Sequence, residues 1–170
     1  MKNLEDIITT HKDFPQKGID FKDVLEILQE PKVFKKLIIE MSDSDIIKNS
    51  EAIIAVDARG FIFGSAISLL SSKPMVVARK PGKLPGEIIK ENYFLEYGEN
   101  SLSIQTSALR KYNSYAIIDD LLATGGTVNC VSNLLKSNGK KVSGLLIVVE
   151  LVKLGGRSKF NFPVESSIAF

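Results

Sequence analysis

The feature that most constrains this chain is segment 115–127, which reads YAIIDDLLATGGT. It begins with a β-branched apolar run of the length typical of a strand buried in a parallel sheet. Two adjacent carboxylates follow, then a glycine-bearing loop, and then apolar residues at helical spacing up to Asn138 and Gly139, a helix-stop signal. The segment therefore predicts a loop that joins a buried strand to a helix N-terminus.

A loop of this kind is suited to phosphate, because the first N–H groups of a helix lack intrahelical partners and the helix dipole is positive there. Glycine lets the backbone approach an anion closely, and threonine hydroxyls add donors. No lysine follows the glycines, as a Walker-type loop would require, and no G-x-G-x-x-G occurs in the chain. We therefore expect a terminal monophosphate to be bound by Ala123, Thr124, Gly125, Gly126 and Thr127.

Asp119 and Asp120 directly precede this loop, where unpartnered carboxylates would repel a phosphate. Vicinal ribose hydroxyls supply donors that acidic side chains accept, and a divalent cation nearby would offset the negative charge. Together, the acids and the loop predict a ribose 5-phosphate unit as ligand. The alternative is that the acids only end a strand and the glycines only start a helix, since acidic pairs are common in turns.

Apolar runs of strand length alternate with helical patterns along the chain, which predicts an α/β fold with a parallel sheet and helices on both faces. With 44% hydrophobic residues in 170, we expect one domain over residues 1–170, with an amino-terminal helical cap over 1–41. A hairpin or hood is expected from 88–94 and 101–105, with Gly98, Glu99 and Asn100 as its turn. The predicted strands are 52–56, 74–78, 115–118 and 142–149, and the predicted helices are 4–11, 24–29, 31–41, 61–70 and 126–135.

Composition argues against several classes of protein. The net charge is +2 and the basic residues are scattered, so we expect no nucleic-acid-binding face. The first residues carry acids where a secretory peptide has an apolar core, and no apolar run is long enough for a membrane span, so a cytoplasmic protein without membrane contact is expected. The single Cys130 suits a reducing compartment and is expected to be a small buried hydrophobe, while His11 is expected to be an ordinary surface or helix-end residue.

The phosphate-loop segment resembles the phosphoribosyl-pyrophosphate (PRPP) motif of the type I phosphoribosyltransferases, and three further segments resemble adenine phosphoribosyltransferases. Residues 14–23 (FPQKGIDFKD) are similar to the base-binding signature of that family, and residues 56–64 (VDARGFIFG) to its pyrophosphate loop. Residues 79–86 (RKPGKLPG) with 94–98 (FLEYG) are similar to its mobile catalytic loop. The motifs stand in family order between about residues 14 and 156, so the resemblance covers nearly the whole chain.

The resemblance implies the type I phosphoribosyltransferase fold, with a small hood and a mobile loop and hairpin over 80–105. It implies transfer of the 5-phosphoribosyl group from PRPP to adenine, with Mg²⁺ held mainly by PRPP and water and no metal cage of side chains. Relatives imply a homodimer. Two alternatives stay open: a different purine or pyrimidine base as acceptor, and a non-catalytic PRPP-sensing regulator on the same fold.

Site roles are likewise implied by the resemblance. Glu96 is expected as the acid/base group at the purine imidazole, Tyr97 as a residue that orders the closed loop, and Arg59 as a catalytic contact to the leaving group. A guanidinium can grip phosphate oxygens through two hydrogen bonds. The expected pyrophosphate contacts are Asp57, Ala58, Arg59, Arg79, Lys80 and Lys83.

The base is expected to meet Ile19, Asp20, Phe21 and Leu154. Family members often carry an apolar residue where this chain has Asp20 and an arginine where it has Lys22. The alternatives without a functional role are that Phe21 packs in the core, that Glu96 is an exposed hairpin residue, and that the charged residues of 79–83 form a solvated turn.

Overall fold

The computed structural model describes residues 3–14, 17, 20–95 and 98–170. Nine strands lie within them: β1 Thr9–His11, β2 Phe21–Asp23, β3 Ala52–Val56, β4 Met75–Ala78, β5 Ile88–Leu95, β6 Gly98–Gln105, β7 Ser114–Leu122, β8 Lys141–Glu150 and β9 Val164–Ala169. The α-helices described are α1 Leu4–Ile7, α2 Pro31–Ser42, α3 Asp45–Lys48, α4 Gly60–Ser71, α5 Thr106–Leu109 and α6 Gly126–Ser137. Short 3-10 helices cover Val24–Gln29, Val152–Leu154 and Gly156–Lys159.

The centre of the molecule is a five-stranded parallel sheet in the order β4-β3-β7-β8-β9. Helix α4 connects β3 to β4 on one side, and α6 connects β7 to β8 on the other, as parallel neighbours require a crossover. The connections from β3 and β7 therefore leave in opposite directions. In open parallel sheets such a switch point creates a crevice at the carboxyl ends of the strands, where ligands bind.

Helices cover both faces of this sheet, as the alternating pattern predicted. One face carries a core formed with α2, α3 and α4, in which Phe63 of α4 packs edge-on against Phe34 of α2 with ring centroids 6.0 Å apart. The other face is covered by α6, whose buried residues include Val131 and Leu135, together with apolar residues of β6. Burial on both faces explains why β3 and the first part of β7 are continuously apolar.

The amino-terminal cap differs in part from the prediction. Residues 4–11 were expected to be one helix, but α1 ends at Ile7 and β1 follows, pairing antiparallel with β2. The β-branched Thr9 and Thr10 explain the change, because they favour extended backbone over helix. The predicted helix at 24–29 is a 3-10 helix, whereas α2 begins at Pro31 as expected.

The predicted antiparallel hairpin is confirmed, but its turn was placed wrongly. Strands β5 and β6 pair from Ile88 with Gln105 to Leu95 with Gly98, so residues 98–100 belong to β6. Pairing with β5 outweighs the local preference of these residues for a turn. Strand β9, which sequence reasoning missed, alternates half-buried and exposed positions at the sheet edge. No helix among the described residues is both long enough and apolar enough to cross a membrane.

Helix α4 gives a matched test of the core. The side chain of Ile67 is fully buried whereas that of Leu69 is 85% exposed. We expect Ile67→Ala to lower the free energy of unfolding by about 2–5 kcal/mol, because it leaves a cavity in a packed interior. The control Leu69→Ala should change it by no more than about 0.5 kcal/mol. Urea unfolding followed by circular dichroism measures both, and equal effects would contradict the assigned orientation of α4.

Candidate active site

The carboxyl ends of β3 and β7 border a cavity of about 370 Å³. It lies at the switch point of the sheet, where residues from separate parts of the chain converge. One wall comes from the segment after β3 together with Lys80, and the other from the end of β7 and the start of α6. The lining residues are Asp57, Ala58, Arg59, Lys80, Asp119, Asp120, Leu121, Leu122, Ala123, Thr124, Gly125, Gly126, Thr127 and Val128.

The loop after β7 has the predicted strand-loop-helix geometry, and all five of its predicted phosphate-binding residues line the cavity. Gly125 has a φ of +81°, a left-handed conformation that glycine adopts without a steric penalty. Helix α6 begins at Gly126, and its first regular hydrogen bond runs from Asn129 N to Gly125 O. The N–H groups of the first turn are therefore available to an anion in the cavity.

Asp119 and Asp120 lie inside β7, which extends to Leu122 and not only to Ile118 as predicted. The two residues are 9% and 4% exposed, and the backbone N–H of Asp120 donates to Oδ1 of Asp119 at 2.9 Å. Burial, followed by the charge of Asp120, raises the pKa of Asp119 well above its usual range. Burial also raises the pKa of Asp120, although the Arg59 guanidinium opposes this shift.

Arg59 connects three parts of the site. Its Nε lies 2.8 Å from Oδ2 of Asp120, yet without hydrogen-bond geometry, so this buried oxygen has no hydrogen bond within the described part of the chain. The guanidinium also lies 5.2 Å from the ring centroid of Phe21, close enough for a cation–π contact. Arg59 directly precedes α4, so the short segment between β3 and α4 reaches both Asp120 of β7 and Phe21 of the amino-terminal cap.

Asp57 binds the segment after β4, which carries Arg79 and Lys80. Its Oδ2 accepts from Nε of Arg79 at 3.1 Å and from the backbone N–H of Lys80 at 3.4 Å. The backbone of Arg79 in turn exchanges two hydrogen bonds with Ser103 of β6. The peptide bond from Asp57 to Ala58 is cis. The segment after β4 is thus tied both to the end of β3 and to the hairpin.

The structure brings some predicted residues together and leaves others apart. Lys80 lines the cavity, but Arg79 and Lys83 do not, and Nη1 of Arg79 points to the backbone O of Lys83 at 3.5 Å. Leu154 is exposed and lies outside the lining, and Asp20 is exposed as well. The predicted residues Ile19, Glu96 and Tyr97 lie outside the described residues.

Sequence reasoning missed Leu121, Leu122 and Val128 as lining residues. Their position between and beside the acids and the glycines was a usable signal, because a strand that continues past the acids carries its next residues into the same crevice. It also missed a surface grouping of His11, Asp23 and Glu26, whose donor atoms lie within 4.8 Å of one another. None of these three lines the cavity, and they come from separate elements, so sequence spacing does not reveal them.

The arrangement combines a helix N-terminus suited to an anion, two buried acceptors and the positive charges of Arg59 and Lys80 in one crevice. Such a site can hold a ligand that has a phosphate at one end, hydroxyl donors in the middle and a second anionic group near Arg59 and Lys80.

The raised pKa of Asp119 makes stability depend on pH in a definite direction. A carboxyl whose pKa is higher in the folded state contributes most below its unfolded value, and this contribution is lost as the pH rises through the folded pKa. Asp119→Asn removes the buried charge and keeps an acceptor for the Asp120 N–H. We expect it to raise the free energy of unfolding at pH 7 on the order of 1 kcal/mol, a gain typical of functional positions, and the gain should shrink towards pH 4.

Urea unfolding at pH 7 and pH 4 measures this difference. The control is Asp20→Asn at an exposed position, which should change stability by no more than about 0.5 kcal/mol at either pH. A loss of stability in Asp119→Asn at pH 7 would contradict the assignment of a destabilising charge.

Comparison with known proteins identifies close relatives over the full length. An adenine phosphoribosyltransferase of Prochlorococcus marinus (strain MIT 9515) is 73% identical over 167 residues, which cover 98% of each chain. The crystal structure of adenine phosphoribosyltransferase from Thermoanaerobacter pseudethanolicus matches with a TM-score of 0.90 at 37% identity, covering 98% of both chains. That of the Saccharomyces cerevisiae enzyme, complexed with an imino-altritol 1,6-bisphosphate and adenine, matches with a TM-score of 0.88 at 32% identity, covering 97% of this chain and 96% of that one.

No protein-family model matches the chain. The full-length relatives decide the assignment, since their identity is high and the fold agrees throughout. The chain belongs to the adenine phosphoribosyltransferase family.

Proposed function

We propose that this protein transfers the 5-phosphoribosyl group of PRPP to adenine, forming AMP and pyrophosphate, a purine-salvage reaction. The observation that carries the proposal is the single crevice in which a glycine-bearing helix N-terminus and a buried acidic pair face Arg59 and Lys80. The curated relatives bear the name of this enzyme, and the yeast structure holds adenine together with a sugar-like bisphosphate.

The 5-phosphate is assigned to the loop 123–127. The free N–H groups at the start of α6 and the hydroxyls of Thr124 and Thr127 supply donors to its oxygens. The ribose hydroxyls are assigned to Asp119 and Asp120. This gives the buried Oδ2 of Asp120 the hydrogen-bond donor that it lacks among the described residues, so a costly unsatisfied group becomes a ligand contact.

Pyrophosphate is assigned to the opposite wall, with Asp57, Ala58, Arg59 and Lys80 beside it. Arg59 can leave Asp120 for the departing polyanion, because a guanidinium binds phosphate oxygens through strong paired hydrogen bonds. Arg79 and Lys83 do not line the cavity in this conformation, so their contacts with pyrophosphate require the segment 79–86 to move towards it.

The site fits Mg²⁺ that arrives with the substrate. Oxygen ligands are what Mg²⁺ prefers, and three carboxylates line the cavity, but one oxygen of Asp57 is already engaged by Arg79 and Lys80. PRPP oxygens and water would hold the ion, with no cage of side chains required. When bound, it offsets the negative charge that develops on the leaving pyrophosphate.

The purine is assigned to the amino-terminal cap, next to Phe21, which lies beside Arg59. A backbone carbonyl of segment 19–21 can accept from the adenine 6-amino group, which would distinguish adenine from bases with a carbonyl there. Leu154 is proposed at the far edge of the base. Glu96 is proposed as the acid/base group at the imidazole and Tyr97 as a residue that orders the closed loop, which excludes water from the activated sugar.

The hairpin of β5 and β6 is suited to act with the segment 79–86 as a lid, since Ser103 of the hairpin is hydrogen-bonded to Arg79. We also propose that the protein is a cytoplasmic homodimer, as the family resemblance suggests.

The decisive experiment is a pyrophosphate-release assay with PRPP, Mg²⁺ and each free base in turn. Adenine should give rapid release that disappears when Mg²⁺ is chelated, because the leaving polyanion then loses its counter-charge. Preference for hypoxanthine, guanine or a pyrimidine would replace the assigned acceptor. Binding of PRPP with no consumption of any base would favour a PRPP-sensing regulator.

The phosphate assignment has a matched pair of glycine variants. Gly125 and Gly139 both have a positive φ, at the two ends of α6. An alanine at either position pays a left-handed backbone cost of about 1–2 kcal/mol in stability, but only position 125 lies in the phosphate loop. We expect Gly125→Ala to raise the Kd of AMP at least about tenfold, or about 1.4 kcal/mol, and Gly139→Ala to leave it unchanged.

Isothermal titration calorimetry with AMP measures both values. If Gly125→Ala and Gly139→Ala had the same AMP affinity as the unaltered protein, the 5-phosphate would bind elsewhere.

A further inference from the structure

A buried carboxylate stands at the end of β8, outside the cavity lining. Glu150 is 5% exposed, and both of its side-chain oxygens accept from Arg157, with Nε donating to Oε1 at 2.8 Å and Nη2 donating to Oε2. Ser166 of β9 donates to Oε2 at 3.0 Å and accepts from Nη2 at 3.2 Å. Nη1 of Arg157 donates to the backbone O of Val164.

This guanidinium therefore joins three chain segments: the end of β8, the start of β9 and the 3-10 helix Gly156–Lys159. Hydrogen bonding from Arg157 holds the pKa of Glu150 below its usual range, so the carboxylate is charged at neutral pH. A buried charge of this kind requires a fixed partner, and a planar fork satisfies both oxygens at once. The 3-10 helix is consequently held at one position relative to the sheet.

The residue before Arg157 lies directly against the phosphate loop. A Cβ at Gly156 would stand 2.2 Å from the backbone O of Ala123 and 3.1 Å from the backbone N of Gly125. Conversely, a Cβ at Gly125 would stand 3.1 Å from the backbone O of Gly156 and 3.0 Å from Cζ of Phe160. Backbone meets backbone here with no room for a side chain, so the position of Gly156 limits the positions that the loop can take.

The chain that leads from β8 to this 3-10 helix is also hydrogen-bonded to β7. Leu151 N donates to Leu122 O at 2.9 Å, immediately before the phosphate loop. The loop 123–127 is thus bounded by β7 on one side and backed by residues 155–160 on the other. Arg157 supplies the polar contacts that tie this backing segment to β8 and β9.

We propose that Arg157 is a positioning residue: by pairing with Glu150 it presses Gly156 against the phosphate loop and so sets the affinity of that loop for a ribose 5-phosphate. The inference rests on the proposed function for the identity of the ligand. Arg157 does not line the cavity, and it acts on the phosphate only through the backbone contact of Gly156 with Ala123 and Gly125.

The test is Arg157→Lys, which keeps the charge but replaces the planar fork with a single ammonium group. The matched control is Arg110→Lys, the same substitution in an exposed ion pair with Glu87 at 3.7 Å. AMP and pyrophosphate affinities are measured by calorimetry well below the melting temperature, so that every variant is fully folded. We expect Arg157→Lys to raise the Kd of AMP about tenfold, as a displaced binding group does, and Arg110→Lys to leave it unchanged.

Pyrophosphate separates positioning from general loosening of the fold. It is assigned to the opposite wall, so its Kd should stay within about twofold in Arg157→Lys. Unchanged AMP affinity, or an equal loss of AMP and pyrophosphate affinity, would overturn the inference. If Arg157→Lys does not fold, Ser166→Ala takes its place, since it keeps the ion pair and removes one contact to each partner. A rise of about threefold in the Kd of AMP is then expected, as for the loss of one hydrogen bond, and no rise would overturn the inference.

Gly125→Ala distinguishes a wrong assignment of the phosphate from a wrong role for Arg157. If it leaves AMP affinity intact, the phosphate is not on this loop, and the phosphate assignment within the proposed function fails together with the inference. If Gly125→Ala weakens AMP binding while Arg157→Lys does not, only the positioning role of Arg157 is lost.

Discussion

The parallel pairing of β3 with β7 at the centre of the sheet is the constraint on which the rest of this structure depends. The chain leaves β3 towards one edge and β7 towards the other, so the loops at their carboxyl ends diverge and leave a crevice between them. Every cavity-lining residue except Lys80 belongs to the segments that follow these two strands or to the carboxyl end of β7. Burial of both faces of the sheet holds the two strand ends in register.

Charge placed in this crevice is costly without a ligand. Asp119 and Asp120 are buried side by side with raised pKa values, and Arg59 compensates only part of their charge. A ligand with hydroxyl donors and anionic ends would pair with both the acids and the cations, so the proposed substrate matches the charges of this site. This is the trade between stability and activity that functional sites commonly show. The Glu150–Arg157 pair is the opposite case, a buried charge whose partners are all supplied by the protein.

Much of this could be predicted because the relevant signals are local. The strand, the acids, the glycines and the helix follow one another within residues 115–137, and near-neighbour physics is enough to read them. Local reasoning failed where pairing with distant residues decided the outcome. Thr9 and Thr10 were expected in a helix but pair with β2, and residues 98–100 were expected in a turn but pair with β5. Strand β9 is stabilised by β8 at the sheet edge and carries no strong pattern of its own.

The amino-acid order by itself determined the strand-loop-helix segment to which we assign the phosphate, because all of its parts are contiguous and each has a local physical meaning. It also determined the α/β class, since alternating apolar and helical periods allow few other folds. Only the tertiary structure decided that Arg59 meets Asp120, that Asp57 holds Arg79, and that Gly156 lies against the loop 123–127. These contacts join residues between 22 and 61 positions apart in the chain, and no local propensity specifies which of many distant partners will meet. Sheet order and burial make that choice.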